Sequence, residues 1–278
     1  MNNISYSTLG FEDRSLEAAL DGIAAAGFQQ VELLGHTPHL GLPVTDWAAS
    51  ALRAQLERRG FKAWTIHGPF RRHALGAPEA EWREEVIVRT ISYIRAANAI
   101  GARALIIHPV PDPSIVSQPS SPETLASIAA AVEHSLDDLT PALERAGVRL
   151  LLENLPYHCA FPYMTMAELR PLVLRYPVEA VGLVFDSGHA GTSRRDPAAE
   201  IRLAGDRLWG THLHDVDAGV PDDQHWPPGQ GGLDWQAIRA ALLEIHYAGM
   251  WTFEVAHGRH GESPDELARY TYQWAIQW

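Results

Sequence analysis

The chain has 278 residues, a hydrophobic fraction of 46% and a formal net charge of −12. These values suit a globular protein with a sizeable core, and an acidic chain with a single lysine, Lys62, argues against a surface that holds nucleic acid. Cys159 is the only cysteine, so a disulfide within the chain is excluded. Because no signal-peptide pattern and no long uncharged apolar run occur, we expect a cytoplasmic protein without a membrane segment.

Eight short apolar segments predict β-strands. They lack the clean alternation of half-buried strands, which is typical of parallel strands that are covered on both faces. In chain order, the predicted strands are residues 4–7, 30–34, 62–66, 103–107, 149–153, 182–186, 209–213 and 251–255.

Longer segments with apolar residues at helical spacing lie between and after these strands. The predicted helices are residues 13–26, 45–59, 81–100, 121–146, 165–175, 197–204, 233–246 and 263–277. Side chains suited to helix N-caps begin four of them, and these are Asp13, Ser121, Thr165 and Ser263. Glycines suited to helix C-termini follow four of them, and these are Gly27, Gly60, Gly101 and Gly147.

The regular alternation of strand and helix predicts an α/β protein with one closed parallel barrel, a single (β/α)8 TIM barrel over residues 1–278. An open, doubly wound sheet is the alternative. It is disfavoured because no glycine-rich phosphate loop follows the first strand, which continues as SYSTLGF.

Six of the last seven predicted strands end on a residue type that binds metal ions. These residues are His67, His108, Glu153, Asp186, His212 and Glu254. The carboxyl ends of barrel strands meet at one face, where barrel enzymes gather their catalytic groups. Burying one such group alone is costly, so we expect the six to share one polar site around a divalent cation.

Four of these residues come from the last four strands: Glu153, Asp186, His212 and Glu254. Three carboxylates and one imidazole suit a divalent ion such as Mn²⁺, Mg²⁺, Co²⁺ or Zn²⁺. The alternative for each carboxylate is a structural role, as the N-cap of the next helix or the partner of an arginine.

Further candidates surround these four. Additional metal ligands, or contacts to substrate, are predicted at His67, His108, His189, Asp223 and His225. Trp226 and Phe70 are candidates for an apolar wall against a sugar face, and Trp226 is taken as substrate-binding. His214 is expected to have a structural role. The remaining histidines are expected at the surface, in loops or behind the site.

Several motifs together resemble the xylose isomerase-like barrel superfamily. They are IHGPF (66–70), IIHP (106–109), LLEN (151–154), FDSGH (185–189), HLHD (212–215), DQHWPPGQGGLDW (223–235) and FEV (253–255). The resemblance covers nearly the whole chain. The superfamily includes sugar isomerases and epimerases, dehydratases and endonuclease IV.

Resemblance to the epimerase branch implies a metal held by the four strand-end ligands, with Glu153 and Glu254 also acting as the proton-transfer pair. His189 then resembles a contact to a substrate oxygen. The implied activity is metal-dependent isomerisation or epimerisation of a small keto-sugar or polyol through an enediolate. A dehydratase is an open alternative, and HLHDVDAG lacks the arginine that such epimerases usually carry there.

Resemblance to endonuclease IV implies a phosphodiester hydrolase with three zinc ions. The nine ligands would be His67, His108, Glu153, Asp186, His189, His212, Asp223, His225 and Glu254. The acidic composition and the sequence ENLP, in place of a glycine-rich continuation, disfavour this activity. A barrel that binds a ligand without turnover and a homo-oligomeric state are further open alternatives.

Overall fold

The computed structural model describes residues 3–41 and 44–278. Eight parallel strands form a closed barrel in which each strand pairs with its neighbours in the sequence and β1 pairs with β8. The strands are β1 (Ile4–Ser7), β2 (Gln30–Leu34), β3 (Lys62–His67), β4 (Ala104–Ile107), β5 (Arg149–Glu153), β6 (Val181–Asp186), β7 (Leu208–Leu213) and β8 (Met250–Phe253). The predicted (β/α)8 barrel is therefore confirmed.

Helices connect the strands and cover the outside of the barrel. They are α1 (Leu16–Ala26), α2 (Asp46–Arg58), α3 (Ala80–Ile100), α4 (Pro122–Ala146), α5 (Met166–Val173), α6 (Ser187–Thr192), α7 (Pro197–Ala204), α8 (Trp235–Glu244) and α9 (Pro264–Gln277). The sequence pattern did not predict α6, which begins directly after β6. Within the described residues, no helix has the combined length and hydropathy needed to cross a membrane.

The predicted helix starts are mostly confirmed. Ser121, Thr165 and Ser263 are N-caps of α4, α5 and α9. The prediction for Asp13 was wrong because the N-cap of α1 is Ser15, two residues later, whose hydroxyl accepts the hydrogen bond from the Ala18 amide. Gly27 ends α1 with φ of 114°, a left-handed conformation that suits glycine.

The inside of the barrel has an apolar layer beneath a polar one. Ala104, Ile106, Leu151 and Val184 form a separate buried apolar cluster inside the barrel. Successive side chains of a strand point to opposite faces, so Glu153, two residues after Leu151, also faces inward. The polar residues at the strand ends therefore lie at the carboxyl end of the barrel, above this buried apolar cluster.

Candidate metal centre

Four buried ligand-type side chains converge at the carboxyl end of the barrel, and we call them the central cluster: Glu153, Asp186, His212 and Glu254. Glu153 and Asp186 end their strands, and Glu254 directly follows β8. The register of the parallel strands pairs Asp186 with His212. One ligand atom from each of the four lies within 4.8 Å of the others, so the arrangement can surround one ion.

His212 lies at the middle of the central cluster. Its Nδ1 is 2.7 Å from Glu153 Oε1, 3.5 Å from Glu254 Oε2 and 3.9 Å from Asp186 Oδ2. One ring nitrogen therefore faces all three carboxylates.

The two glutamates have opposite electrostatic environments. Burial raises the pKa of Glu254 above its ordinary value, although His212 and His225 oppose the shift. Burial acts in the same direction on Glu153, but the charge of His212 and hydrogen bonds from neighbouring histidines outweigh it, and the pKa of Glu153 is well below its usual range. The cluster thus separates the proton affinities of two similar carboxyl groups.

The central cluster suits a divalent cation. Its three carboxylates are buried, and within the described residues no lysine or arginine forms an ion pair with any of them. Buried carboxylates without a cation are costly, and the histidines around them carry a charge only when they are protonated. Oxygen-rich donor sets with one imidazole are typical of Mn²⁺, Mg²⁺ and Zn²⁺ sites.

Glu153 also links the central cluster to two more imidazoles. Its Oε2 lies 3.4 Å from His67 Nε2 and 3.3 Å from His108 Nε2. These three residues form another group with the spacing of metal ligands. His67 donates its Nδ1 proton to the carbonyl of Gly68 at 2.7 Å, which leaves Nε2 directed at the carboxylate.

A third group lies nearer the surface, and we call it the outer cluster: His189, Asp223 and His225. Asp223 Oδ2 is 3.0 Å from His189 Nε2 and 2.9 Å from His225 Nε2. Both rings donate Nδ1–H to backbone carbonyls, those of Asn154 and Glu254. Burial would lower the pKa of His225, but Asp223 raises it to about 10. Both Nε2 atoms are thus oriented toward one carboxylate, as they would be for a shared ion.

The DSGH and HLHD motifs interlock around Asp186. Asp186 is the N-cap of α6, and its Oδ1 accepts a hydrogen bond from the His189 amide at 2.6 Å. His214 Nε2 lies 3.0 Å from each Asp186 carboxylate oxygen. A Cβ on Gly188 would lie only 1.9 Å from Cε1 of His214, so the glycine makes room for this ring. His214 therefore contacts a candidate ligand directly, and with His225 and Glu254 it forms a further group with the spacing of metal ligands.

A cavity of about 170 Å³ opens above these groups. Its apolar wall consists of Leu9, Phe70, Pro156 and Tyr157. Glu153 and Glu254 also line it, together with five of the further candidates: His67, His108, His189, Asp223 and His225. Trp226 is not among the lining residues of the described chain; its ring instead lies under the guanidinium of Arg259 at 4.5 Å.

Glu32 is a site residue that the sequence interpretation missed. It lies within β2, is fully buried, and its Oε2 is 3.2 Å from His212 Nε2. An available signal was the single acid inside the apolar segment QVELL, because a buried carboxylate needs a partner.

A family model described as xylose isomerase-like TIM barrel matches residues 20–278. An uncharacterized protein of Methanocaldococcus jannaschii is 24% identical over 267 residues, which cover 95% of this chain and 87% of that protein. An inosose dehydratase of Lacticaseibacillus casei is 27% identical over 158 residues, 49% of this chain and about half (53%) of that protein.

Solved structures with the same fold include sugar epimerases. A D-tagatose 3-epimerase-like protein superposes with a TM-score of 0.81 at 19% identity, covering 99% of this chain and 97% of that one. The IolI protein, whose structure contains a zinc atom, superposes with a TM-score of 0.78 at 18% identity, covering 99% and 95%. At these identities the likeness establishes the fold.

Proposed function

Because the chain belongs to the xylose isomerase-like TIM barrel family, we propose that it is a metal-dependent isomerase or epimerase of a small keto-sugar or polyol. The observation that carries the proposal is the buried pair Glu153 and Glu254, whose carboxylates both lie near His212 Nδ1. The fold of the sugar epimerases noted above supports it.

The central cluster would hold the cation. When bound, a divalent ion of this kind polarises a carbonyl group and stabilises the negative charge that develops on it, an effect of several kcal/mol. The donor set, three carboxylates and one imidazole with ligand atoms within 4.8 Å of one another, supports this assignment.

Glu153 and Glu254 would transfer the proton. They project from β5 and from the end of β8, so they approach a molecule in the cavity from different directions. One of them, when ionised, would remove a proton from the carbon beside a carbonyl, and the other, when protonated, would return one. Such general acid–base assistance contributes about 10²–10⁴-fold.

The cavity supports a small, uncharged substrate. Its volume of about 170 Å³ leaves little space beyond one small molecule. Among the described residues that line it, none is a lysine or arginine, so no fixed cation is placed to bind a phosphate group. Phe70 and Tyr157 offer apolar surface to the C–H face of a sugar, while the histidines offer hydrogen bonds to its hydroxyls.

The same groups could also lead to loss of water. If Glu254 protonates a β-hydroxyl instead of a carbon, the outcome is a dehydratase. The similarity to an inosose dehydratase supports this alternative outcome.

Deuterium incorporation from D₂O tests the proposal. Metal-loaded protein would be incubated with a panel of ketoses and cyclic polyols, and deuterium would be located by NMR. We expect exchange at a carbon beside a carbonyl in at least one substrate. Bound metal without exchange in any substrate would contradict the proposed proton transfer.

A hydrolase of phosphodiesters is the second candidate, and the outer cluster favours it. Together with the central cluster and the His67–His108 pair, it gives three groups with metal-ligand spacing, which is more than one ion requires. Multiple ions can generate hydroxide and stabilise an in-line displacement. Three ions per chain and salt-dependent binding of abasic duplex DNA would support the hydrolase; one ion and no binding would exclude it.

A further inference from the structure

We infer that Glu32 is a positioning residue that sets the tautomer of His212, so that Nδ1 rather than Nε2 faces the metal ion. The inference rests on the proposed function only in that the central cluster holds a cation. Glu32 itself does not contact the cavity and is therefore not assigned a catalytic role.

Glu32 is held beneath His212 by its own strand and by the next one. Its Oε2 accepts a hydrogen bond from Thr65 Oγ1 at 2.7 Å and lies 3.2 Å from His212 Nε2. Strand register places Glu32 beside Thr65, and both side chains are buried. Glu32 Oε1 has no hydrogen-bond partner within the described residues. The carboxylate is thus fixed in place, and among the described residues His212 is the imidazole within hydrogen-bond distance of it.

The contacts of the two ring nitrogens decide the tautomer. An ionised carboxylate only accepts hydrogen bonds, and a neutral imidazole carries a single N–H. Each ring nitrogen of His212 faces a carboxylate: Nδ1 lies 2.7 Å from Glu153 Oε1, and Nε2 lies 3.2 Å from Glu32 Oε2. A cation in the central cluster takes the place of a proton on Nδ1, so the single N–H is at Nε2, where Glu32 accepts it. The lone pair of Nδ1 is then directed at Glu153, Asp186 and Glu254, where a shared cation would lie.

This orientation is the reverse of that of the neighbouring histidines. His67, His189 and His225 each donate Nδ1–H to a backbone carbonyl and turn Nε2 toward a carboxylate of the site. His212 turns Nδ1 toward the site instead. For His212, Glu32 is the hydrogen-bond acceptor that a backbone carbonyl provides for the other three, but it faces Nε2 instead of Nδ1.

Metal affinity tests the inference. Residues that orient a metal-ligating histidine typically change metal affinity about 10–100-fold when they are replaced. The affinity of Mn²⁺ and Zn²⁺ would be measured by competition with a chelator for the parent protein, Glu32→Gln and Glu32→Val. Both variants should bind about 10–100-fold more weakly, since an amide can donate or accept and an apolar side chain does neither.

Ser5→Ala is the matched control, because the Ser5 hydroxyl is buried as Glu32 is but has no hydrogen-bond partner within the described residues. Its affinity should equal that of the parent. Parental affinity in both Glu32 variants would overturn the inference. If the parent binds metal but turns over no sugar, the proposed function fails and the assignment of Glu32 is still decided by these affinities.

A second measurement observes the ring nitrogens in the parent protein itself, and a variant serves only to assign the signals. Long-range ¹H–¹⁵N spectra of the Zn²⁺-loaded protein distinguish protonated from metal-bound imidazole nitrogens, and a His212→Asn spectrum assigns the signals of His212. We expect a protonated Nε2 and a metal-bound Nδ1. The reverse pattern would overturn the inference, and an indirect effect of Glu32 on packing would not produce the expected pattern.

Discussion

The ring of His214 stacks on the ring of His225, with centroids 3.9 Å apart and an angle of 12° between their planes. His214 hydrogen-bonds Asp186 of the central cluster, and His225 hydrogen-bonds Asp223 of the outer cluster. The stack therefore joins the two clusters through direct contacts. A displacement of one ring should therefore change the geometry of both clusters.

The first prediction concerns Gly188→Ala. Alanine favours a helix over glycine by up to about 1 kcal/mol, but here the added methyl group meets Cε1 of His214 at 1.9 Å. Overpacking a buried site costs about 1–3 kcal/mol, so we expect net destabilisation and weaker metal binding. Denaturant unfolding and metal titration would measure both.

Gly232→Ala provides the control for this prediction. An added Cβ at Gly232 has its nearest neighbours at 3.9 Å, which is ordinary contact. The control should keep parental metal affinity. Equal stability of Gly188→Ala and the parent would contradict the packing argument.

The second prediction concerns the number of ions. Asp223→Asn removes the carboxylate that both Nε2 atoms of the outer cluster face, whereas its exposed neighbour Asp222 makes no such contact. If the outer cluster binds an ion, Asp223→Asn should lower the metal content by one per chain, and Asp222→Asn should not. Elemental analysis of the three proteins measures this. Identical metal contents would assign the outer cluster to substrate contact instead.

The third prediction concerns Asp215, which organises the loop after β7. Its buried carboxylate accepts hydrogen bonds from the Gly229 and Leu233 amides and from the Trp235 indole. The Trp235 indole is the buried donor among them, and leaving a buried donor unpaired costs about 1–3 kcal/mol. Asp215→Ala should therefore lower the free energy of unfolding by about 1–3 kcal/mol. Urea unfolding followed by tryptophan fluorescence measures the loss.

Asp217→Ala is the control for Asp215, because Asp217 pairs with Arg259 at the surface. Exposed ion pairs contribute about 0–1 kcal/mol. Similar losses in the two variants would show that the loop does not depend on the buried carboxylate.

Much of the fold could be predicted because each strand and helix carries its own local signal. The segments RLLLE and GLVFD predict buried parallel strands, and the acid at the end of each marks where the strand ends. Three observed strands, β1, β2 and β5, have the predicted bounds, and the ends of the others differ by at most two residues. The short helix α6 was not predicted because SGHAGT, with two glycines, lacks an apolar periodicity; the Asp186 side chain begins it instead.

Candidate site residues could be predicted where they end a strand or lie in a motif that follows one, as His189, Asp223 and His225 do. Glu32 lies inside a strand, and its proximity to His212 arises from barrel closure across 180 positions in the chain. Trp226 follows His225 in the sequence, but its ring packs against Arg259 rather than lining the cavity. Neither fact follows from local spacing, because both depend on tertiary contacts between distant segments.

The fourth prediction concerns the proposed acid–base pair. At saturating metal, Glu153→Gln and Glu254→Gln should each lower turnover by about 10²–10⁴-fold, because an amide neither accepts nor delivers the proton. Glu244→Gln, at a surface ion pair with Arg202, should keep parental activity. Steady-state kinetics with any substrate found by deuterium exchange would measure the effects. Parental turnover in either variant would remove that glutamate from the mechanism.

The fifth prediction concerns His73, which is buried behind the site. Its Nε2 lies 3.2 Å from the hydroxyl of Thr90, which itself donates to the carbonyl of Val86, so Nε2 is the protonated nitrogen. Its Nδ1 has no hydrogen-bond partner within the described residues. Burial, aided by the charge of Arg89, lowers the pKa of His73 to about 4.

A lowered histidine pKa makes the protein less stable in acid. The unfolded chain takes up a proton at His73 below its ordinary pKa of 6.5, and the folded protein does so only below about 4. The free energy of unfolding should therefore fall as the pH drops from 6.5 to 4, by up to roughly 3 kcal/mol from this residue. His73→Gln cannot take up the proton, so its stability should depend less on pH over this range.

Urea unfolding between pH 4 and 7 with excess chelator measures the difference, and the exposed His134→Gln serves as the control. If the His73→Gln curve runs parallel to that of the parent, the histidine already takes up its proton in the folded protein and the argument from burial is wrong.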